Sequence, residues 1–489
     1  MNLSKSKYCN AIQCKKMSWL DENKPNVKEE TTKDSILDNG TDVGIIAKNL
    51  FNPRIDIEFN ENLNIMIENT KRALENTNIV VTEGSFNYEN NFCSIDILKK
   101  NDNTYEIYEV KSSTEIKDVF IDDISYQYYI MVKLGYNVKK CYIVYINNNY
   151  VRKGELELNK LFNIKDVTPK VLEKQNEVVK NINDINEYMK QKDEPNERLD
   201  LHCTKPYDCP FFKYCTKHLP ENNVFNIRSM PSKTKFKLYN KGVYKYEDLL
   251  NEDIKDKYKQ QIDFELNTRE TYINKENIKE FLNELSYPIY FLDFETFQQP
   301  IPEYDSVKPY EQIPFQYSLH YIENENGELF HKEFLAEDSF DPRRTLAESL
   351  IKDIPKNVCV TAYNMNFEKM VIKNLSKLYP DLSDHLMNIY DNMHDLMIPF
   401  VNRDYYTKAM KGSYSIKYVL PALFPNDPKL DYHNLEMIHN GSEAMSEFAN
   451  LKNLEKNDKE KVRYNLLRYC ELDTYAMVKI WQKLNEVIK

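Results

Sequence analysis

The segment HCTKPYDCPFFKYC constrains this chain most, because it places three cysteines close together between two longer α/β patterns. Cys203, Cys209 and Cys215 are separated by equal intervals of five residues, and the two prolines between them favour tight turns. In a reducing compartment, clustered cysteines bind metal more often than they form disulfides. By ligand type alone, thiolates suit zinc and iron–sulfur clusters equally. We therefore expect a metal-bound segment at this point of the chain.

The 489 residues exceed the size of one ordinary core, so two or three domains are expected. Hydrophobic residues make up 41% of the chain, which excludes a wholly disordered protein. The formal net charge of −11 excludes a protein that holds nucleic acid by overall positive charge, yet it is compatible with carboxylate metal sites. No apolar run is as long as a membrane span, and the first residues lack the apolar stretch of a signal peptide. We expect a cytoplasmic protein.

Hydrophobic periodicity divides the chain into two α/β parts. The first part is predicted to contain helices within 40–51, 60–76 and 121–134, and strands over 79–88, 92–98, 105–111 and 141–146. The second part opens at Tyr287 and is predicted to contain strands over 287–296, 316–322, 328–336 and 358–363, a helix near 341–353 and a long helical tail. We predict an α/β domain over 1–218, a helical connector over 219–284 and a second α/β domain over 285–489.

Four polar residues lie on neighbouring elements of the first part. Asp96 lies in SIDIL on one predicted strand, Glu109 and Lys111 lie on the next strand, and Gln127 follows on a predicted helix. Because side chains alternate along a strand, Glu109 and Lys111 share a face. Carboxylates from adjacent strands can bind a divalent metal, and a lysine beside them can stabilise charge that develops on an attacked phosphate.

This arrangement resembles the PD-(D/E)XK nucleases, and within them the RecB-like, CRISPR-associated branch. The resemblance implies a restriction-endonuclease-like fold and a nuclease site made of those four residues, with Glu83 and Asp123 as secondary candidates. Its metal would be Mg²⁺ or Mn²⁺, bound by Asp96 and Glu109. A histidine that many members of the branch carry upstream is absent from GTDVGIIAKNLF.

The same resemblance implies that one cysteine before the nuclease core joins the three after it to ligate a [4Fe–4S] cluster, with zinc as the alternative. Cys14, in QCKKMSWL, matches this position best, and Cys9 is the substitute. The predicted ligands are thus Cys14, Cys203, Cys209 and Cys215. The other cysteines lie in apolar contexts and are predicted to be small buried side chains: Cys93, Cys141, Cys359 and Cys470.

A second set of acidic residues spans the C-terminal part. FLDFETF places Asp293 and Glu295 on one face of a strand, and AYNMNFEKM offers Glu368 after a later strand. LLRYCELDTYAM places Tyr469 and Asp473 four residues apart, hence on one face of a helix. Carboxylates of this kind can hold two divalent cations, Mg²⁺ or Mn²⁺, for phosphodiester hydrolysis. Asp395 and Asn364 are additional candidates near the site.

The order of these motifs resembles the DEDD exonucleases of the tyrosine subtype, which implies a ribonuclease-H-like fold and 3′–5′ exonuclease chemistry. Glu368 departs from the aspartate found in most of that superfamily. GSYSIKYVLPALFP resembles the segment before the last acidic motif in a bacterial branch. The whole chain is similar to an uncharacterised bacterial family that joins a RecB-like nuclease domain to such an exonuclease domain, on YEVKSSTEIKD, YVRKGELELNKLF, the cysteine segment and YPIYFLDFETF.

Together these features predict a two-site, metal-dependent nuclease whose partner is nucleic acid, with DNA favoured over RNA. The alternative is a nucleic-acid-binding or scaffold protein of a defence or repair complex, in which one or both sites are degenerate. Glu368 and the missing upstream histidine motivate that alternative. The metal dependence of cleavage separates the two hypotheses.

Overall fold

The computed structural model describes residues 3–29, 42–267 and 269–489. The protein has a mixed α/β structure that divides into two units. The first unit comprises Met1–Glu221, Ser232–Gly242 and Gln299–Tyr310. The second comprises Asn222–Pro231, Val243–Gln298 and Glu311–Lys489. The stretch over 219–284 therefore contributes to both units, and mostly to the second.

The first unit is built on a seven-stranded sheet in the order β2-β3-β4-β5-β6-β7, with the short β1 pairing parallel to β4. Its strands are β1 (Leu3–Ser4), β2 (Arg54–Asp56), β3 (Ile79–Tyr88), β4 (Asn91–Asn101), β5 (Thr104–Lys111), β6 (Val138–Ile146) and β7 (Phe162–Asp166). Its helices are α1 (Lys5–Gln13), α2 (Lys15–Asn23), α3 (42–48), α4 (Leu63–Ala73), α5 (Asp118–Lys133), α6 (Leu158–Leu161), α7 (Thr168–Glu173), α8 (Gln175–Tyr188), α9 (Phe212–Thr216) and α10 (Ser232–Asn240). Of the helix predicted within 40–51, residues 40 and 41 lie outside the described residues. β5 is antiparallel to β4 and parallel to β6.

Alternation along β5 decides which face of this sheet carries the polar residues. Ile107 faces a core that includes Ile124 of α5, whereas Tyr108 faces a second core that includes Val43 of α3. Glu109 is two residues beyond Ile107 and therefore shares its face, toward α5. The alternation along β5 therefore places the Glu109 side chain on the face of the sheet that α5 covers.

The second unit contains a five-stranded sheet in the order β11-β10-β9-β12-β13 and a two-stranded sheet of β8 and β14. The strands are β8 (Thr271–Ile273), β9 (Ile289–Phe297), β10 (Ile313–Ile322), β11 (Leu329–Leu335), β12 (Cys359–Ala362), β13 (Met393–Asp395) and β14 (Tyr405–Thr407). The helices are α11 (Tyr246–Leu249), α12 (Asp256–Leu266), α13 (Lys275–Asn283), α14 (Arg343–Asp353), α15 (Asn366–Leu378), α16 (Ser383–Asp391), α17 (Ile398–Val401), α18 (Ile416–Leu423), α19 (Gly441–Asn450) and α20 (Lys456–Ile488). The central strand β9 is antiparallel to β10 and parallel to β12.

Helix α20 packs along this sheet and is fixed to β10 by buried polar contacts. Gln316 Nε2 donates to the carbonyl of Leu466 at 2.8 Å, and the Ser318 and Thr474 hydroxyls lie 2.7 Å apart. Because these contacts lie on either side of the Tyr469–Asp473 turn, they fix the rotation of α20 about its axis. No helix within the described ranges combines the length and apolarity needed to cross a membrane.

Candidate active sites

β4, β5 and α5 bring the four predicted residues of the first site together. Gln127 Nε2 donates to Glu109 Oε2 at 2.7 Å, and Lys111 Nζ donates to Glu109 Oε1 at 2.7 Å. Asp96 Oδ2 accepts the backbone N–H of Val110 at 2.7 Å. Glu109 is only 1% exposed, so its charge is balanced by these direct partners and not by water.

Two further residues complete this site. Asp123 of α5 accepts a hydrogen bond from Lys111 Nζ at 2.6 Å. Lys5 of α1 donates to Glu109 Oε1 at 2.9 Å, and its Nζ lies 3.6 Å from Asp96 Oδ1. The sequence offered Asp123 as a secondary candidate but gave no signal for Lys5, which is 104 residues from its partner. Three carboxylates and two ammonium groups therefore alternate in one partly buried cluster.

The pairing of these charges sets the ionisation of the first site. Burial raises the pKa of Asp96 to about 7, and the neighbouring charge of Glu109 adds to the effect. Burial also opposes ionisation of Glu109, but Lys111 and Lys5 outweigh it and lower the pKa of Glu109 below its ordinary value. Glu109 therefore ionises more readily than Asp96.

Four cysteines line one small cavity of the first unit: Cys14, Cys203, Cys209 and Cys215. The N–H of Cys209 donates to the carbonyl of Cys203 at 2.9 Å, and the buried ring of Phe211 lines the same cavity. Burial raises the pKa of Cys203 to about 12 and that of Cys209 to about 11. These thiols therefore need a bound cation to become thiolates at neutral pH.

The substitute ligand Cys9 lies elsewhere. It packs against the core under the sheet, and the charged side chains that act most on its pKa are Asp123 and Lys111 of the first site. Cys9 is thus a neighbour of the carboxylates and not of the other three predicted ligands. The prediction of buried side chains is confirmed for the remaining four cysteines: Cys93, Cys141, Cys359 and Cys470.

The second site gathers residues of β9 and the middle of α20. Asp293, Glu295 and Asp473 each offer one carboxylate oxygen, and these oxygens all lie within 4.8 Å of one another. Glu368, in the first turn of α15, is 3% exposed, and its Oε2 has no hydrogen-bond partner within the described part of the chain. Tyr469 is buried on the same face of α20 as Asp473. The structure therefore brings together all five predicted residues.

These carboxyl groups resist ionisation. Burial, reinforced by the charges of the other carboxylates, raises the pKa values of Asp293 and Glu295 well above their ordinary range. Burial also raises the pKa of Glu368 to about 8 and that of Asp473 to about 6. No lysine or arginine forms an ion pair with Asp293, Glu295, Glu368 or Asp473 among the residues that the structure describes. The cluster therefore carries excess negative charge when it ionises, which is the condition that a bound cation relieves.

Two residues of this site were missed. Tyr432 donates its hydroxyl to Asp473 Oδ1 at 2.6 Å, and its ring lies 6.0 Å from that of Tyr469. Lys417 acts electrostatically on Glu295 and Asp473, favouring their charged forms. Lys417 lies within GSYSIKYVLPALFP, so the sequence did mark its segment, whereas no pattern pointed to Tyr432.

The other acidic candidates have structural partners. Glu83 forms an ion pair with Lys48 at 2.8 Å and has a positive φ of 55° on β3, where the pairing with β4 skips a residue. Asp395 accepts the backbone N–H groups of Asn364 and Met397, both at 2.9 Å. Asp395 therefore fixes the loop before α15 and thereby the position of that helix.

A family described as a domain of unknown function, DUF2779, matches residues 290–415, a segment that includes Asp293, Glu295 and Glu368. An uncharacterized protein of Mycoplasma genitalium, MG366, is 28% identical over 228 residues, which cover 42% of this chain and 33% of the relative. The match thus spans about a third of the length of that curated relative.

Proposed function

We propose that the protein is a metal-dependent nuclease whose main active site is formed by Asp293, Glu295, Glu368 and Asp473. The observation that carries this proposal is the convergence of carboxylate oxygens of Asp293, Glu295 and Asp473 within 4.8 Å, with Asp293 partly buried and the other two buried. A buried group of carboxylates without an ion-paired lysine or arginine is costly unless a cation joins it. Oxygen ligands of this type are those that Mg²⁺ and Mn²⁺ prefer.

The residues present fit such cations. The raised pKa values of Asp293 and Glu295 come from burial and like charge, and both effects are reversed when a divalent cation binds. Glu368 Oε2 is buried without a partner in the described part of the chain, so it is free to act as a further ligand. When bound, two cations supply an activated water and stabilise the leaving oxygen in phosphodiester hydrolysis.

The remaining side chains orient this site. Tyr432 holds Asp473 through a hydrogen bond of 2.6 Å and favours its ionised form. The hydroxyl of Tyr469 faces the same carboxylate and, in this proposal, orients the attacking water. Lys417 is exposed and close enough to act on Asp473, so it is suited to contact the substrate's phosphate backbone.

We propose a ribonuclease-H-like fold for the second unit and a PD-(D/E)XK fold for the first. The ribonuclease-H-like assignment is supported by the mixed five-stranded sheet with β9 at its centre and by α20, which crosses it with Asp473. The PD-(D/E)XK assignment is supported by Asp96 on β4, Glu109 and Lys111 on β5 and Gln127 on α5. In this proposal the first unit carries a second nuclease site.

The cysteine cavity is proposed to hold a [4Fe–4S] cluster, with zinc as the alternative. Four thiols reach one cavity from both ends of the first unit's sequence, which fits a group with four thiolate ligands. Around them, Leu20 and Phe211 belong to a small apolar core that joins α2 to the cysteine segment. The bound group would therefore fasten two distant segments of the chain together.

The test is a cleavage assay on end-labelled single-stranded and double-stranded DNA and on the matching RNA. Cleavage should require Mg²⁺ or Mn²⁺, stop with EDTA and favour DNA over RNA, with 3′–5′ removal of nucleotides. Binding of these substrates without cleavage under any metal condition would instead favour the scaffold alternative.

A further inference from the structure

The ammonium group of Lys5 lies in the first site between the two predicted metal ligands, Glu109 and Asp96. Its Nζ is 2.9 Å from Glu109 Oε1 and 3.6 Å from Asp96 Oδ1. Lys111 donates to the same oxygen of Glu109 at 2.7 Å, but its second carboxylate partner is Asp123 and not Asp96. The positive charge of Lys5 therefore lies between the carboxylates of Glu109 and Asp96.

Helix α1 holds Lys5 firmly in this position. The ring of Tyr8 stacks on Tyr126 with centroids 4.4 Å apart, and both side chains are fully buried. At the other end of the helix, Gln13 Nε2 donates to the carbonyls of His202 and Tyr207, at 2.8 Å each. These contacts fix the middle and the C-terminal end of α1, and the preceding β1 pairs with β4, so Lys5 is a built part of the site.

We propose that Lys5 occupies the cation position of the first site, so that a divalent metal binds there only when the lysine is displaced. The inference rests on the proposed nuclease function of this site and adds a regulatory contact to it. A divalent cation bound by both Glu109 and Asp96 would meet the ammonium group of Lys5, which contacts both carboxylates, and like charges repel strongly at short distance. The N-terminal helix thereby weakens metal binding at the first site, while no lysine forms an ion pair with Asp293, Glu295 or Asp473 in the described part of the chain.

The consequence is measurable as metal affinity. In protein whose second site is disabled by Asp293→Ala and Asp473→Ala, Lys5→Met should bind Mn²⁺ about ten-fold or more tightly than the parent. Lys7→Met is the matched control, because Lys7 is an exposed lysine on the same helix that makes no side-chain contact with the carboxylates. Its Mn²⁺ affinity should equal that of the parent. Titration calorimetry, with electron paramagnetic resonance of free Mn²⁺, provides the readout.

Two additional variants make the result specific. Adding Glu109→Gln to Lys5→Met should abolish the gained Mn²⁺ binding, which locates it at this site. Lys5→Arg keeps the positive charge and should leave Mn²⁺ affinity at the parent value. Lys5→Gln, which also removes the charge, replaces Lys5→Met if that variant fails to fold.

Equal Mn²⁺ affinity in folded Lys5→Met and Lys7→Met proteins would overturn the inference while leaving the nuclease proposal intact, provided that both bind. If neither binds Mn²⁺ at all, the metal assignment of the first site fails together with the inference. A gain in Lys5→Arg as large as that in Lys5→Met would also overturn it, because charge would then not be the cause.

Discussion

Replacing Tyr432 by phenylalanine removes a single oxygen atom next to the second site. The hydroxyl of Tyr432 donates to Asp473 Oδ1 at 2.6 Å, and both side chains are less than 10% exposed. Phenylalanine keeps the ring and its contact with Tyr469, so the packing around the site should change little. The variant therefore isolates the contribution of one hydrogen bond to a carboxylate.

The size of the effect follows from this geometry. A hydrogen bond to a charged acceptor contributes about 1.5–3 kcal/mol, which corresponds to a factor of roughly 10–100 in an equilibrium constant. The bond favours the ionised form of Asp473, whose pKa burial has already raised to about 6. Its loss should raise that pKa further. Metal binding at pH 7 must then compete more strongly with a proton on Asp473, and this competition weakens as the pH rises to 9.

The assay is the Mg²⁺ concentration that gives half-maximal end trimming, measured at pH 7 and at pH 9. Tyr432→Phe should need about ten-fold more Mg²⁺ than wild type at pH 7, and the difference should shrink at pH 9. Tyr464→Phe is the control, since Tyr464 lies on α20 but is 62% exposed. If Tyr432→Phe needs no more Mg²⁺ than wild type at pH 7, the hydrogen bond from Tyr432 does not support metal binding. If its Mg²⁺ requirement rises equally at pH 7 and pH 9, the effect does not depend on the ionisation of Asp473.

Three further predictions concern separate parts of the chain. In protein whose second site is disabled, Lys111→Ala should slow cleavage at the first site about a hundred-fold in single-turnover assays. The same variant should retain Mn²⁺ binding in titration calorimetry. Burial lowers the pKa of His320 to about 3, so the unfolded state binds its proton first as pH falls below about 6.5. Stability should then decrease by up to about 1.4 kcal/mol per pH unit, and His320→Gln should flatten this slope in urea unfolding between pH 6 and pH 5. Cys209→Ala should lower the melting temperature more than Cys359→Ala, because only Cys209 is a proposed ligand of the group that connects the segment of Cys14 with the cysteine segment. Equal decreases would contradict a ligand role for Cys209.

The longer strands could be predicted from the sequence. The predicted strand over 79–88 coincides with β3, and that over 105–111 lies within β5, because long runs rich in β-branched and aromatic residues are typical of strands. The long helical tail is confirmed as α20, which has 33 residues. The strands β1, β2, β8, β13 and β14 were missed, since two or three residues cannot show a period and their pairing depends on distant partners. The five-residue strand β7 was missed as well.

In the candidate sites, too, neighbours that are close in sequence could be predicted, whereas neighbours that depend on tertiary packing could not. Asp293 and Glu295 could be paired in advance because they alternate on one strand, and Tyr469 and Asp473 because they are one helical turn apart. Lys5 could not be foreseen in this way. It reaches Glu109 only because α1 packs against α5, a tertiary contact that no local spacing encodes. The same limit applies to the placement of Cys9, whose neighbours were decided by the packing of α1.

In the proposed function, Asp293 and Asp473 bind the metal ions of an end-trimming nuclease. The most direct measurement compares wild type with the Asp293→Ala, Asp473→Ala double variant on 3′-labelled and 5′-labelled DNA in Mg²⁺, at equal amounts of folded protein. Trimming from chain ends should be abolished in the double variant, whereas any cleavage that depends on Glu109 should persist. If the double variant trims ends at the wild-type rate, the acidic cluster of the second unit is not a nuclease site.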